Sequence, residues 1–273
     1  MNGDWQSYDA IAETYARVAE GPYFATPGQA LLSLLHLTPG SRLLDVGTGT
    51  GIVAALAADI VGPGGLVVGL DPAIGPLHYL KRRCRATVLA GALPYLPLQD
   101  SSFDAVAAAF VLSHVADHAS ALKEMVATLR PAGRLAVSAW ARSESGTPPG
   151  TTWQTVVREF MNEEDIQVAL GRAAPCEKAF SDPILLRAAL ADAGLRQIEV
   201  RQLTYSIELA TQSFVEVRMI SLAGRYMKSV LAAPHWKRFI EEVSRRLATS
   251  FGSHVCFEVQ VNLAAGARPS TTQ

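Results

Sequence analysis

Hydrophobic and polar positions change period repeatedly along the chain, and those changes predict its elements. Between residues 5 and 20, Trp5, Tyr8, Ile11, Ala12, Tyr15 and Val18 recur at three- and four-residue spacing, which predicts a helix. Gly21-Pro22 closes it, and Pro27-Gly28 is expected to open a second helix running to Leu37. A short apolar run at 42–46 predicts a strand, after which Ile52, Val53, Leu56, Ala57, Ile60 and Val61 return to helical spacing. Gly62-Pro63-Gly64-Gly65 turns the chain into a second strand, Leu66 to Leu70. Further strands are predicted at 86–89, 103–110 and 134–140, with a helix at about 118–129 before the last. The run at 103–110 is almost wholly apolar, as a strand covered on both faces must be.

Strands alternating with helices through residue 140 imply a parallel, doubly wound sheet with right-handed crossovers. All strand C-termini then share one edge, which gathers Gly47, Asp71, Phe110 and Trp140 from distant parts of the chain. Beyond 140 the pattern loosens. Residues 141–150 read as a loop, and helical spacing returns at 152–161 and 163–171. Ser181-Asp182-Pro183 starts a helix that ends at Gly194, and a strand follows from 198 to 209. Helices at about 212–231 and 234–249, divided by Pro234, precede a final strand at 255–264.

Composition narrows the class. Hydrophobic residues make up 49% of the 273 and charged residues 18%, enough for a sizeable core and too apolar for disorder. A formal net charge of −1 gives no global attraction to nucleic acid or an anionic membrane. Cys84, Cys176 and Cys256 are far apart and form no CxxC pair, so neither a disulfide framework nor a metal site is expected. No signal-peptide pattern opens the chain, and the longest clear apolar run, Ala105 to Leu112, is eight residues. A soluble, cytoplasmic protein is expected. The basic run Lys81, Arg82, Arg83 and Arg85 reads as a solvated helix face.

The chemistry concentrates in Leu43-Leu44-Asp45-Val46-Gly47-Thr48-Gly49-Thr50-Gly51, a strand ending in a glycine-rich turn that opens a helix. Glycine permits positive φ and lets a ligand approach the backbone, toward which the helix start directs its N–H groups. Asp71 ends the second strand, 20 residues beyond Gly51. It either accepts two hydrogen bonds from a ribose diol or caps the next helix, with Pro72 as that helix's first residue. The spacing Gly47-x-Gly49-x-Gly51, followed by Ile52, departs from the G-x-G-x-x-G of dinucleotide sites. Tyr8 and Tyr15 either pack or cover a ligand.

Motifs along the first half are more specific. Leu43 to Gly51 resembles motif I of class I S-adenosylmethionine-dependent methyltransferases, and Val68-Gly69-Leu70-Asp71-Pro72 resembles their second motif. Leu96-Pro97-Leu98-Gln99-Asp100-Ser101-Ser102-Phe103-Asp104-Ala105-Val106 is similar to a signature of small-molecule methyltransferases related to ubiquinone and menaquinone biosynthesis enzymes. Val111-Leu112-Ser113-His114-Val115 and Leu129-Arg130-Pro131-Ala132-Gly133-Arg134 resemble two later elements of that group. The resemblance spans about residues 8–140 in fixed order and weakens afterwards, although 257–263 looks like the family's last strand.

The resemblance implies an α/β, Rossmann-like, mostly parallel seven-stranded sheet with an antiparallel last strand and helical cap insertions. Residues 1–273 would form a single domain, its core at about 38–140 plus 181–209 and 254–266. N-terminal helices would occupy 5–37 and cap insertions 141–180 and 210–253. The implied cofactor is S-adenosylmethionine, with S-adenosylhomocysteine as product. Gly47, Thr48 and Gly49 would carry its methionine portion, with Asp45 holding the turn or accepting from the ammonium group. Asp71 would take the ribose, Pro72 would flank the adenine, the Phe110 carbonyl would accept from the ammonium, and Tyr15 would cover the methionine end. The family often has an acidic residue where this chain has Ala92, which leaves the Leu93 N–H to bind the ring. Ala132 replaces a turn glycine.

Methyl transfer from a sulfonium needs positioning above all, and a base only where the nucleophile must lose a proton. His114 is the candidate base, or else packing and hydrogen-bonding support at a helix entry. Trp140, Tyr226 and Trp236, with Trp153, Phe160 and His235, either line an apolar acceptor pocket or belong to the ordinary core. The expected reaction is methyl transfer to an oxygen, carbon or nitrogen of a small, partly apolar metabolite, not to nucleic acid and not at a membrane. A cofactor-binding protein without methyl transfer is the alternative, and a nicotinamide-dependent oxidoreductase a third. The acceptor and the oligomeric state are left open.

Overall fold

The structure, a computed structural model, describes residues 6–19, 21–141 and 146–270. Trp5 therefore lies outside the described residues. A 3-10 turn at Asp9–Ile11 leads into α1 (Ala12–Ala19), followed by α2 (Pro22–Ser33) and β1 (Arg42–Val46). The alternation continues with α3 (Ile52–Val61), β2 (Leu66–Asp71), α4 (Ile74–Arg83), β3 (Thr87–Ala90) and β4 (Phe103–Ala109). A second 3-10 turn at Leu112–His114 precedes α5 (His118–Thr128) and β5 (Leu129–Trp140). Then come α6 (Pro148–Phe160), α7 (Glu163–Ala173), α8 (Glu177–Phe180), α9 (Pro183–Asp192) and β6 (Arg196–Ala210). The chain ends with α10 (Thr211–Ile220), α11 (Leu222–Val230), α12 (Ala233–Phe251) and β7 (His254–Ala267).

The seven strands form one sheet in the order β3-β2-β1-β4-β5-β7-β6, as the Rossmann-like reading expects. β7 runs antiparallel to both β5 and β6, and the remaining pairings are parallel. β1 lies between β2 and β4, with Asp45 beside Gly69 on one side and Ala107 on the other. The crossover from β1 leads to β2 on one side and that from β3 leads to β4 on the other, so a crevice opens beyond the C-terminal end of β1. One face of the sheet packs on α5, α8 and α9 through Leu122, Met125, Phe180, Leu186 and Leu190. The other packs on α2, α3 and α4 through Leu31, Val53, Ala57, Leu77 and Leu80. A third cluster around Trp153, Phe214, Met227 and Phe239 is the interior of the helical cap.

α6 begins at Pro148, inside the stretch expected as a loop, and β5 at Leu129 rather than 134; other expected boundaries move for local reasons. α2 begins at Pro22, where a missing N–H removes no intrahelical bond, and Pro27 sits inside it. Pro27 and its neighbour Gly28 are buried, and a Cβ on Gly28 would stand 3.4 Å from Val53 Cγ2 on α3. β6 and β7 run past the sheet edge, from Arg196 to Ala210 and from His254 to Ala267, as a paired ribbon that carries the cap. The stretch expected as one helix at 212–231 is two, broken at Ser221. Ser221 adopts an extended backbone, donates its hydroxyl to the Arg218 carbonyl at 2.6 Å and caps α11 by accepting from the Gly224 N–H. Hydrophobic periodicity is blind to this break, because Ser221 and Gly224 also satisfy a helical pattern.

At Gly224 a Cβ would stand 2.2 Å from the Arg218 carbonyl oxygen, so only glycine lets α11 turn under α10. Gly224→Ala should lower the unfolding free energy by about 1–3 kcal/mol, the range for forcing an extra methyl into a packed site. Urea unfolding of the two proteins measures it, and coincident midpoints would contradict this account of the break.

Candidate active site

The turn between β1 and α3 is built from backbone that side chains resist. Gly47, Gly49 and Gly51 have φ of 65°, 55° and 85°. A Cβ on Gly47 would lie 2.3 Å from Val111 Cγ2, and one on Gly51 would lie 2.4 Å from Leu80 Cδ1. Asp45, 1% exposed, supports the turn from behind by accepting from Thr48 Oγ1 at 2.7 Å. Burial pushes its carboxyl up from the ordinary 3.8 to about 7, against the bonds from Thr48 and the Ala54 N–H. Arg83 Nε donates to the Thr50 carbonyl at 3.1 Å, so the basic run is not only a solvated face: one member ties α4 to the turn.

Asp71 faces the same turn from β2. Its Oδ2 accepts from the Gly49 N–H and its Oδ1 from the Ala73 N–H, both at 2.9 Å. α4 starts at Ile74 with Ala73 as its N-cap, so Asp71 does not cap that helix and Pro72 does not begin it. The carboxylate instead bridges two loops, and each oxygen keeps a further lone pair for a donor. Desolvation raises its pKa while the two backbone bonds oppose the rise.

The N-terminal segment lies over this edge. Tyr15 Cε1 is 3.6 Å from where a Gly49 Cβ would stand. Tyr8 meets Tyr15 edge-on at 5.8 Å between ring centroids and meets His114 edge-on at 6.3 Å. Arg225 of α11 covers the Tyr8 ring at 4.3 Å and donates through Nη1 to the carbonyls of Gln6 and Ser7. Asp9 accepts from the Gly75 N–H in the first turn of α4.

An aromatic wall closes the other side. Phe110, at φ 59° just past β4, stacks on Trp140 at 4.2 Å and 22°. Tyr23 and Phe24, at the start of α2, pack on Trp140 at 5.0 and 6.1 Å. Tyr15, Phe24, Thr48, Thr50 and Phe110 line one cleft with Asp45 at its floor. His114 is held by the Ala173 carbonyl, 3.1 Å from Nδ1. A carbonyl only accepts, so Nδ1 carries the proton and Nε2 keeps its lone pair. Desolvation lowers the imidazole pKa, the Ala173 bond opposes this, and the Arg225 charge lowers it further.

Of the residues singled out in the sequence, Tyr15, Asp45, Gly47, Thr48, Gly49, Asp71 and Phe110 thus meet at one edge, with Trp140 behind Phe110. Pro72 and Ala92 are exposed at the ends of β2 and β3, and Leu93 is half-buried against the sheet. Trp236 is not brought there: it packs on Phe239, as do Trp153 and Phe160, inside the cap. Tyr226 belongs to the same cap cluster, and His235 is exposed. Tyr8 was expected to pack or to cover a ligand, whereas Tyr23, Phe24 and Arg225 were not expected at the site. Tyr8 was signalled by its seven-residue spacing from Tyr15, whereas Tyr23 and Phe24 were hidden by the misplaced start of α2. Residues 175–176 form a Pro-Cys pair, yet Cys176 is no thiolate nucleophile. Its thiol donates to the Val115 carbonyl beside His118, and burial raises its pKa.

A family model described as a methyltransferase domain matches residues 44–137. A demethylmenaquinone methyltransferase of Mycobacterium sp. (strain KMS) is 32% identical over 182 residues, 63% of this chain and 75% of the relative. The enzyme of that name from Mycobacterium marinum is 30% identical over 216 residues, 76% of this chain and 88% of the relative. Among solved structures, Haemonchus contortus phosphoethanolamine N-methyltransferase 2 superposes with a TM-score of 0.59 at 17% identity. That superposition covers 96% of this chain and 58% of the other, and shows a shared fold. The chain belongs to the class I S-adenosylmethionine-dependent methyltransferases, in the group related to quinone-biosynthesis enzymes. It is an enzyme, its cofactor is S-adenosylmethionine and its reaction is methyl transfer.

The buried Asp45 gives stability a pH dependence whose sign is fixed. Between its unfolded value of 3.8 and its folded value of about 7 the native state holds the extra proton. Stability from this group therefore falls as pH rises across that window and is constant above it. Asp45→Asn should flatten the decline of the cofactor-free melting temperature between about pH 4 and 7. Thermal melts across that range test it, and an unchanged slope would contradict the assignment.

Proposed function

We infer that this methyltransferase acts in the cytoplasm on a small, partly apolar molecule rather than on nucleic acid, at an oxygen, carbon or nitrogen. The observation that carries this reading is the meeting of the glycine turn, Asp71 and the Phe110–Trp140 stack at one sheet edge, under Tyr15. The net charge of −1 and the absence, among the described residues, of a helix long and apolar enough to cross a membrane agree with it. Relatives named as demethylmenaquinone methyltransferases support a small-molecule acceptor.

The residues present fit the cofactor. The three glycines leave a cradle that side chains would fill, and Thr50, 1% exposed, has a buried hydroxyl with no partner among the described residues. A hydroxyl in that position has a strong preference for a polar ligand atom. In this reading Gly47, Thr48 and Gly49 carry the methionine portion, with Thr50 reaching its polar end. Asp71 accepts from the ribose diol with the lone pairs its backbone bonds leave, and Pro72, Ala92 and Leu93 border the adenine. The Phe110 carbonyl accepts from the ammonium, Asp45 holds the turn through Thr48, and Tyr15 covers the whole. S-adenosylmethionine supplies a methyl group already activated on a sulfonium, so the protein's task is alignment. The cap helices, at 141–180 and 210–253, serve as acceptor cover. His114, neutral and with Nε2 unprotonated, takes the acceptor's proton where one must leave. The orientation of its ring comes from Ala173, which is in the cap, so the base and the acceptor cover are set together.

Isothermal titration with S-adenosylhomocysteine tests the cofactor site. Asp71→Ala should weaken binding by about ten- to a hundred-fold, the scale of hydrogen bonds to a charged group. His114→Ala should keep the wild-type affinity. Equal affinity in the Asp71 variant, or no binding to the wild type, would overturn the reading.

A further inference from the structure

Arg218, near the end of α10, is a cation that the mechanism above leaves unused. Its Nε is buried and has no hydrogen-bond partner among the described residues. None of the ion pairs among those residues involves its guanidinium; the group lies over the Phe214 ring, 5.0 Å from the centroid. Arg225, the other inward arginine of the cap, differs in donating to the Gln6 and Ser7 carbonyls. A buried N–H without an acceptor is unfavourable, and the rest of the Arg218 side chain is half-buried. Folding retains such a group at a loss unless something else supplies the acceptor.

Its surroundings say where that acceptor lies. Phe214 meets Phe257 at 5.2 Å, and Phe257 meets Tyr23 at 6.3 Å. Tyr23 stands 5.0 Å from Trp140, which stacks on Phe110 at the mouth of the cofactor cleft. The Arg218 charge also reaches Tyr23, opposing the rise that burial imposes on its hydroxyl. On the other side, Arg218 Nη2 lies beside the first turn of α6, 3.5 Å from where a Gly150 Cβ would stand. A run of packed rings thus leads from the cleft, through Trp140, Tyr23 and the buried Phe257 and Phe214, to a guanidinium with no ion-pair partner among the described residues.

We propose that Arg218 is a specificity-determining residue that binds a carboxylate carried by the acceptor, at the end remote from the reacting atom. The guanidinium fork matches a carboxylate with two parallel hydrogen bonds, and the half-buried rings of Phe110, Trp140 and Tyr23 offer contact to an apolar or aromatic body. An acceptor of this kind spans the site with its reacting atom near His114 and its acid in the cap. Arg218 acts on binding and alignment, and takes no part in the bond changes. The proposal rests on the acceptor site inferred above and sharpens it from a partly apolar molecule to an apolar acid.

The test uses the full chain loaded with S-adenosylhomocysteine and titrated with 4-phenylbutyrate or its neutral counterpart 4-phenylbutanol. The acid should bind about ten- to a hundred-fold more tightly than the alcohol, as for a charged hydrogen-bonded pair. Arg218→Met should erase that preference and Arg218→Lys should keep part of it, with S-adenosylhomocysteine affinity unchanged in both. Equal binding of acid and alcohol by the wild type, no binding of the acid at millimolar concentration, or a preference that survives in Arg218→Met would overturn the proposal. If the Met variant does not fold, the wild-type comparison decides alone. Should S-adenosylhomocysteine itself not bind, the cofactor reading fails separately, and the preference for acid over alcohol is then read on the cofactor-free protein.

Discussion

Everything at the sheet edge depends on a carboxylate and a peptide N–H. Asp71 takes the Gly49 N–H on one oxygen and the Ala73 N–H on the other, so the turns after β1 and β2 are locked to each other. The lock is possible only because Gly49 holds a left-handed backbone between two glycines that do the same. Side chains at Gly47 and Gly51 would strike Val111 and Leu80, and the turn could not reach the carboxylate. Asp45 supports the same turn through Thr48. Two buried acids and three glycines therefore set one rigid ledge, at the switch point where β2 and β4 flank β1 on either side.

Around that ledge the charges are sorted by origin. Carboxyl groups come from the strand ends, Asp45 and Asp71. Guanidiniums come from the cap, Arg218 of α10 and Arg225 of α11. Tyr8 and Tyr15 separate the two, one ring under Arg225 and the next above Gly49. The N-terminal segment is thereby held from three directions, by Asp9 on α4, by Arg225 on α11 and by the Arg17–Glu216 ion pair on α10.

Legibility in the sequence followed the length scale of the constraint. The sheet could be read because β1, β2 and β4 are short apolar runs separated by turn residues, a local signal. The ledge could be read because glycine spacing and the position of Asp71 are fixed by backbone geometry within single loops. The cap resisted reading for two reasons. Its break at Ser221 depends on a carbonyl of α10 meeting Gly224 of α11, which no periodicity encodes. Its aromatic residues divide between core and wall by tertiary placement alone: Trp236 and Trp153 went to Phe239, whereas Tyr23 and Phe24 joined Trp140. Pro27 misled in the opposite sense, because a lone proline inside a buried helix looks like the start of one.

The central claim is that cofactor binding occurs on this ledge and beneath the N-terminal segment. Hydrogen–deuterium exchange, with and without S-adenosylhomocysteine, reads that directly. Peptides covering 45–52, 69–75 and 8–18 should gain protection together, while the cap core around Phe239 should not change. Protection confined to another region, or none in the peptide that spans Gly47 to Gly51, would contradict the account.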